Sequence, residues 1–501
     1  MEVAEFAGAL PMSATRSLSG SRWALARKDG IALLVTATGA LVLRALWLGD
    51  PVPTSDEQFY SLVGQQMVHG ALPFVDLWDR KPVGLFGLFA VAHAIGGPSP
   101  LAYQLLAMAF AIAGGWLVYA LARPMGGRKS AMAAAVLYQM LMIAYGSYGA
   151  QSEIFHVPLM LGAVLLLRDW RPSAGPWRAL AAMLVCGLAL QIKYTVLPQC
   201  LFLGLYALWR LHEERVPPPR IAGLAAAFAL AGLGPTALAG LIYTLLGHWQ
   251  AFAFANFSSF FLREASAGGR AMMAHLPAML PLVVLLIGGI WAALRIARPR
   301  PVRHYALIAG WTLSALATAL LPATVYLYYF AALVPGVVLL AVPLYDCRRM
   351  TGLAMALATV VLNYALLDMP ARLHQSLERR AAVAQLAKAL APVTGPGKPC
   401  LYVHDGPSVL YSLTGACLPG RFTYPDHLNN ALERPALGID QAGEVARILR
   451  LRPAAIVTAD NPVTPQAPAV LQRVRSAITG DYRLGEKRAV DGRMVSVWLR
   501  R

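Results

Sequence analysis

The chain has 501 residues, 57% of them hydrophobic and 14% charged, with a formal net charge of +18. Soluble domains carry about 25% charged residues, so this composition excludes an ordinary soluble globule. The positive excess does not indicate nucleic acid either, because it sits in short clusters between apolar runs instead of lining one face.

In chain order, residues 1–29 are polar and mixed. They do not read as a cleavable signal, and Arg16, Arg22, Arg27 and Lys28 are expected to hold them in the cytoplasm. Apolar runs then predict spans near 31–48, 100–122, 130–147, 151–167, 178–191, 194–210, 221–246, 276–295, 303–320, 324–345 and 350–368. Basic clusters at Arg123-Arg128-Lys129, Arg168-Arg171-Arg178, Arg210-Arg215-Arg220, Arg295 to Arg303 and Arg348-Arg349 fall consistently on one side of this series. Such positive loops mark the cytoplasmic side. The run at 82–97 is apolar but only 16 residues long. Counting it as a span would reverse every later loop, so it is expected to re-enter or lie on the outer side. The expected architecture is mainly α, a polytopic membrane bundle of about 11–13 spans over residues 30–370.

That topology faces loop 49–81, loop 247–275 and the tail 371–501 outward, to the periplasm of a bacterium. The tail differs in composition. PCLYVHDG, AAIVTAD and MVSVWLR read as strands, and AGEVARILRLR and APAVLQRVRSAI as amphipathic helices. A small soluble α/β domain is therefore expected there. Cys400 and Cys417 both fall in it, and either a disulfide or two buried thiols fits.

The first outward loop carries Asp56 and Glu57 side by side. Ser55 reads as a helix cap with Gln58 completing a capping box, Phe59, Leu62, Val63 and Met67 fall on one face, and Gly70 ends the helix. Residues 56–69 are thus expected to form an amphipathic helix on the membrane surface. Acids in a first turn need no chemistry, because they complement the helix dipole. Lys81 opens the next apolar run, Glu153 begins a span, and Lys193 lies between two short helices. Each taken alone is an ordinary end-of-span charge. Together, acids and lysines converging on one outward cavity suit a hydroxyl to be deprotonated and a phosphate to be held.

The ordered set Asp56-Glu57 with Tyr60, then Lys81-Pro82, then Glu153, the Gly187-to-Lys193 step and the aromatic run YLYYFAALVPGVVLLA resembles the GT-C membrane glycosyltransferases. The resemblance is to the branch of protein O-mannosyltransferases and lipid A aminoarabinose transferases, and it covers about 350 residues of the membrane region. It implies transfer of a sugar from a polyprenyl-phosphate carrier to a hydroxyl of an envelope glycan, lipid or protein outside the cytoplasm. It implies Asp56 as the base, Glu57 and Glu153 positioning acceptor, sugar or base, Lys81 holding the carrier phosphate, and Tyr60 and Lys193 in the substrate site. The chain departs at Phe59, where the aminoarabinose transferases have an arginine. Arg263, in the loop 247–275, is a replacement phosphate contact, unless Glu264 beside it pairs with it. No nucleotide and no cofactor are required, no metal ligands are assigned, and a divalent metal is left open. The competing class is a polytopic lipid or saccharide transporter or flippase. It calls for internal repeats and charges within several spans, of which Arg44 is the main example here.

Overall fold

The computed structural model describes residues 30–264, 269–322, 326–345 and 369–501, with positions 354, 357, 358, 361, 364 and 365; the side chains of 269–278 and Met369 are not included. The expected cytoplasmic segment 1–29 and most of the expected span 350–368 lie outside the described residues.

The membrane region begins with α1 (Gly30–Trp47). It continues with α2 (Ser55–Val68), α3 (Val83–Gly96), α4 (Pro100–Ala122), α5 (Arg128–Ala144), α6 (Ser152–Arg168), α7 (Trp177–Leu190), α8 (Leu197–Glu213) and α9 (Pro218–Leu245). Short helices α10 (Trp249–Ala253) and α11 (Ser259–Leu262) precede α12 (Gly269–Arg295) and α13 (Val302–Leu320). Helices α1, α4 and α9 are long and apolar enough to cross a membrane. Leu230, Leu233, Leu238, Leu241 and Leu245 of α9 are exposed, as a helix facing lipid requires.

The bundle has two chemically different ends. Glu153 and Arg168 stand at opposite ends of α6, about 22 Å apart at 1.5 Å per residue. At the Arg168 end, Arg303 donates to Glu213 (2.5 Å), His304 Nε2 lies 2.9 Å from Asp169, and Arg168 Nη1 donates to the Ala120 carbonyl (2.8 Å). The basic inter-helix loops gather there. Helix α3 stays at the Glu153 end, lying along α2. Leu85 N donates to the Gln191 carbonyl at its start (2.9 Å), and Gln65 Nε2 donates to the Pro98 carbonyl just past its end (3.1 Å). Helices α7 and α9 meet at Gly187, where a Cβ would come within 2.5 Å of the Gly232 carbonyl oxygen. A glycine is needed there because the two backbones touch.

One expected span is not a single helix. Its described residues, 326–345, form a 3-10 segment Leu327–Leu333, then α14 (Val334–Leu340) and α15 (Val342–Tyr345). Pro335 and Pro343 lack the amide donors that a continuous α-helix would use.

The tail opens with α16 (Met369–Leu390). Four strands follow, β1 (Leu401–Val403), β2 (Ala455–Ala459), β3 (Tyr482–Val490) and β4 (Arg493–Arg500), in the order β1-β2-β4-β3. β1 pairs parallel with β2, and β4 pairs antiparallel with both β2 and β3. Helices α17 (Val409–Thr414), α18 (Pro425–Asn429), α19 (Gln441–Arg450) and α20 (Pro468–Asp481) complete it. Asp440 caps α19 by accepting from Ala442 N (3.2 Å) and Gly443 N (2.9 Å). Its Val445 and Ile448 bury against Ile456 of β2 and Val470 and Val474 of α20. Cys400 and Cys417 form a disulfide, with Cα atoms 4.6 Å apart. It ties the entry of β1 to the strap that leads to residues 418–424.

Two of the tail's contacts with the bundle lie at Asp50 and at Trp78. Ser376 Oγ of α16 donates to Asp50 (2.7 Å), which Arg380 also approaches (3.2 Å). Trp78, on the loop after α2, is 2% exposed within the apolar cluster of the tail. Its ring centroid lies 5.5 Å from Phe422 and 4.8 Å from His427, and its backbone N–H donates to the Arg421 carbonyl (2.8 Å).

Candidate functional site

The loop between α2 and α3 aims the site. Tyr243 of α9 donates to the Pro73 carbonyl (2.9 Å), and Trp78 anchors the loop in the tail. Asp79 then accepts from Lys81 N (3.0 Å), turning the chain so that Arg80 and Lys81 diverge. Arg80 pairs with Glu433 of the tail, and Lys81 Nζ stands 5.6 Å from the Tyr60 ring centroid. Burial works to lower the Lys81 pKa, but the surrounding charges of Asp56, Asp79 and Glu153 outweigh it and hold it above its ordinary value. The ammonium is therefore retained in a site that also holds the acids.

Helix α2 starts one residue earlier than the sequence implies. Thr54, not Ser55, is the cap, accepting from Glu57 N (3.2 Å), and Ser55 is the first helical residue. Both residues have a hydroxyl able to cap, and the extended backbone falls at Thr54. The helix is also not a simple amphipathic surface helix. Glu57 through Gly64 are buried without interruption, because α3 covers one side and the tail the other. Val409 N donates to Gln58 (3.3 Å), and the Tyr424 ring lies tilted beside Phe59 with centroids 5.2 Å apart.

The two adjacent acids have separate surroundings. The Asp56 carboxylate accepts from three phenols at 3.3 Å each: Tyr60 and Tyr328 on Oδ2, Tyr424 on Oδ1. Tyr60 is one turn along the same helix, Tyr328 comes from the 3-10 segment, and Tyr424 from the tail. Glu57 is fully buried on another side of α2, where it accepts from Ala150 N (2.6 Å) and Gln104 Nε2 (3.2 Å). Burial raises its pKa to about 7 against the opposing pull of those donors. A Cβ on Gly149 would come within 2.2 Å of Glu57 Oε2, so the 147–151 turn wraps tightly on this carboxylate. Glu57 thus fastens α2 to the α5–α6 turn through partners other than the three phenols of Asp56.

Glu153 and Lys193 form a buried ion pair, and Ser152 Oγ also donates to Glu153 (3.1 Å). Lys193 Nζ stands 3.9 Å from the Tyr329 centroid and 5.8 Å from that of Tyr328. Tyr328 therefore links this pair to Asp56. The structure brings together Asp56, Tyr60, Lys81, Glu153 and Lys193 from four segments of the chain: α2, the loop after it, the start of α6 and the turn between α7 and α8.

Arg263 is placed differently from the alternatives read from sequence. Its partner is Glu433 of the tail, at 2.7 Å, not Glu264 beside it. The backbone N–H of Glu264 donates to the Leu432 carbonyl (3.2 Å). Glu433, 2% exposed, thus bridges Arg80 and Arg263. Burial would raise its pKa, but the hydrogen bonds and charge of Arg80, with Arg263, hold it below the usual carboxylate value. Among the described residues no three His, Cys, Asp or Glu side chains gather as a metal-binding group.

Several contributors carry no separate signal in the sequence. Tyr328 and Tyr329 lie in an aromatic run whose individual roles depend on the 3-10 turn. Tyr424 and Glu433 reach the site only because the tail folds back on α2. Gln104, on α4, accepts from Gly49 N (2.6 Å) and donates to both the Asp50 carbonyl (2.8 Å) and Glu57, closing the loop that precedes α2.

The family model for dolichyl-phosphate-mannose-protein mannosyltransferase matches residues 80–238, from Arg80 into α9. No curated protein matches the chain in sequence. Among solved structures the chain is similar to ArnT from Cupriavidus metallidurans bound to undecaprenyl phosphate, with a TM-score of 0.63 at 14% identity over 93% of this chain and 98% of that one. The same protein in the apo state gives 0.61 at 14% identity, over 96% and 98%. The apo oligosaccharyltransferase of Archaeoglobus fulgidus gives 0.52 at 14% identity, over 86% and 69%. At these identities the likeness is one of fold.

Proposed function

Because the chain has the fold of the GT-C membrane glycosyltransferases, we propose that it transfers a sugar from a polyprenyl-phosphate carrier to an acceptor hydroxyl at the Asp56 end of the bundle. The observation that carries this reading is the convergence of one carboxylate, held by three phenols, with a retained lysine ammonium. Asp56 takes the proton of the acceptor hydroxyl. The acceptor oxygen bonds to the anomeric carbon as the bond from that carbon to the phosphate oxygen breaks, and polyprenyl phosphate leaves with the electron pair. A single displacement of this kind inverts the anomeric centre. Lys81 neutralises charge building on the leaving phosphate, where a fixed charge acts without reorganising. The Glu153–Lys193 pair fixes Tyr328 and Tyr329 beside Asp56.

The carrier assignment draws support from the likeness in fold to ArnT, which was solved bound to undecaprenyl phosphate. The basic inter-helix loops at the far end favour that end as cytoplasmic. The site and tail then face the periplasm across the inner membrane, where a disulfide is stable. The acceptor is an envelope glycan, lipid or protein hydroxyl.

Binding of undecaprenyl phosphate to the purified full-length chain tests the carrier. Saturable binding that weakens about ten- to hundredfold in Lys81→Met is expected, the worth of one charge-assisted hydrogen bond. Equal affinity for undecaprenol, or an unchanged constant in Lys81→Met, contradicts the assignment.

A further inference from the structure

We infer that Tyr424 is a positioning residue for Asp56, so that the tail domain supplies part of the machinery of transfer. The inference rests on the reading of Asp56 as the base.

The carboxylate has two oxygens and three phenolic donors. Two of the donors, Tyr60 and Tyr328, converge on Oδ2. Oδ1 receives one, Tyr424, which also lies 3.3 Å from Ser55 Oγ. At 3.3 Å each bond is longer than the usual range for O–H···O, and none would hold the group alone. Donors on both oxygens restrain rotation of the carboxylate about its terminal bond. With Oδ1 released, Tyr60 and Tyr328 still hold one oxygen, but the plane of the carboxylate is free to swing about it.

Tyr424 is itself fixed through the site's own loop. Its ring lies 5.2 Å from Phe59 and 5.3 Å from His427, by centroid. Three residues earlier, the Arg421 carbonyl accepts from Trp78 N, and Phe422 packs on the Trp78 ring. The same short loop therefore locates Lys81 directly and Tyr424 by way of the tail. Docking of the tail is transmitted to the base through one hydroxyl. The ring contacts need no hydroxyl, so Tyr424→Phe separates the two roles.

The test uses the full-length chain at matched protein level. It measures the rate at which the sugar mass missing from a deletion strain reappears on envelope glycans and glycoproteins. Intact chain, Tyr424→Phe, Tyr424→His and Asp56→Asn are compared. Thermal unfolding and affinity for undecaprenyl phosphate are measured on the same purified proteins. The expected result is a rate about tenfold lower in Tyr424→Phe, with unfolding and carrier affinity unchanged. Tyr424→His, which keeps a ring and an N–H donor, recovers part of the rate. A Tyr424→Phe rate equal to the intact chain's, with Asp56→Asn inactive, overturns the role of Tyr424 and leaves the base standing. A lowered unfolding temperature that accounts for the lost rate also overturns it, since the hydroxyl would then serve only tail docking. Retained transfer in Asp56→Asn overturns both the base and this inference.

Discussion

Replacing Glu57 tests the division of two neighbouring acids between scaffold and chemistry. Its carboxylate is wholly buried and receives Ala150 N and Gln104 Nε2. Glu57→Ala leaves Ala150 N and one of the two Gln104 Nε2 hydrogens without an acceptor, the other hydrogen staying on the Asp50 carbonyl. A buried unsatisfied group costs about 1–3 kcal/mol, so the loss is about 2–5 kcal/mol. Glu57→Gln keeps one acceptor and loses about 1 kcal/mol. The two also differ in pH dependence. Burial raises the folded pKa to about 7 from the ordinary value of 4.5. Between those values the folded chain binds more protons at this site than the unfolded chain does. Stability from this group therefore falls as pH rises from about 4.5 through 7, by about 3 kcal/mol in all. Glu57→Gln cannot titrate there. Thermal unfolding followed by tryptophan fluorescence in detergent from pH 5 to 8 should show the intact chain losing stability relative to Glu57→Gln as pH rises. Transfer should survive in Glu57→Gln. Parallel pH curves for the two proteins would refute the burial argument. Abolished transfer at unchanged stability would place Glu57 in the chemistry.

Trp78→Ala removes a ring enclosed by Phe422 and His427 and should weaken tail docking by about 3–5 kcal/mol. Faster proteolysis in the tail checks this, and an unchanged digestion pattern would contradict it. Glu433→Gln leaves Arg80 and Arg263 without their shared counter-charge. Because both arginines are partly exposed, the expected cost is about 2–3 kcal/mol in thermal or urea unfolding. Cys400→Ser with Cys417→Ser opens a link between residues 17 apart in sequence. It should destabilise the tail by about 3 kcal/mol, matched by adding reductant to the intact chain but not to the double variant.

Much of the membrane region is legible in the sequence because a span requires about 20 apolar residues in a row. Helices α4 and α9 begin within three residues of the expected 100 and 221. The short run at 82–97 reads as an oddity by length alone, and α3 stays at one end of the bundle. The break at Leu327–Leu333 is harder to see, since an apolar run looks the same in a 3-10 turn as in a helix. The tail strands with buried faces, β1, β2 and β4, stand out by their β-branched and aromatic residues. Strand β3 does not. Between Tyr482 and Val490 it is mostly exposed and carries Arg483, Glu486, Lys487 and Arg488, as an edge strand protected from further pairing tends to be. In the site, Asp56, Lys81, Glu153 and Lys193 fall at helix ends or turns where a charge reads as either anchor or chemistry, and Tyr60 lies one turn into α2. Only the fold distinguishes Glu57, clipped to the 147–151 turn, from Asp56, left to three hydroxyls. Tyr424 and Glu433 are separated from α2 by more than 350 residues. No local pattern announces a contact made only when the tail docks.

The central claim is that Asp56 is the base of sugar transfer. Mass spectrometry of the envelope glycans and glycoproteins of the host tests it most directly, comparing a deletion strain with strains carrying the intact chain or Asp56→Asn at equal protein level. The account predicts that one sugar mass disappears from one class of glycan, lipid or protein in the deletion, returns with the intact chain and stays absent with Asp56→Asn. Full restoration by Asp56→Asn would contradict it.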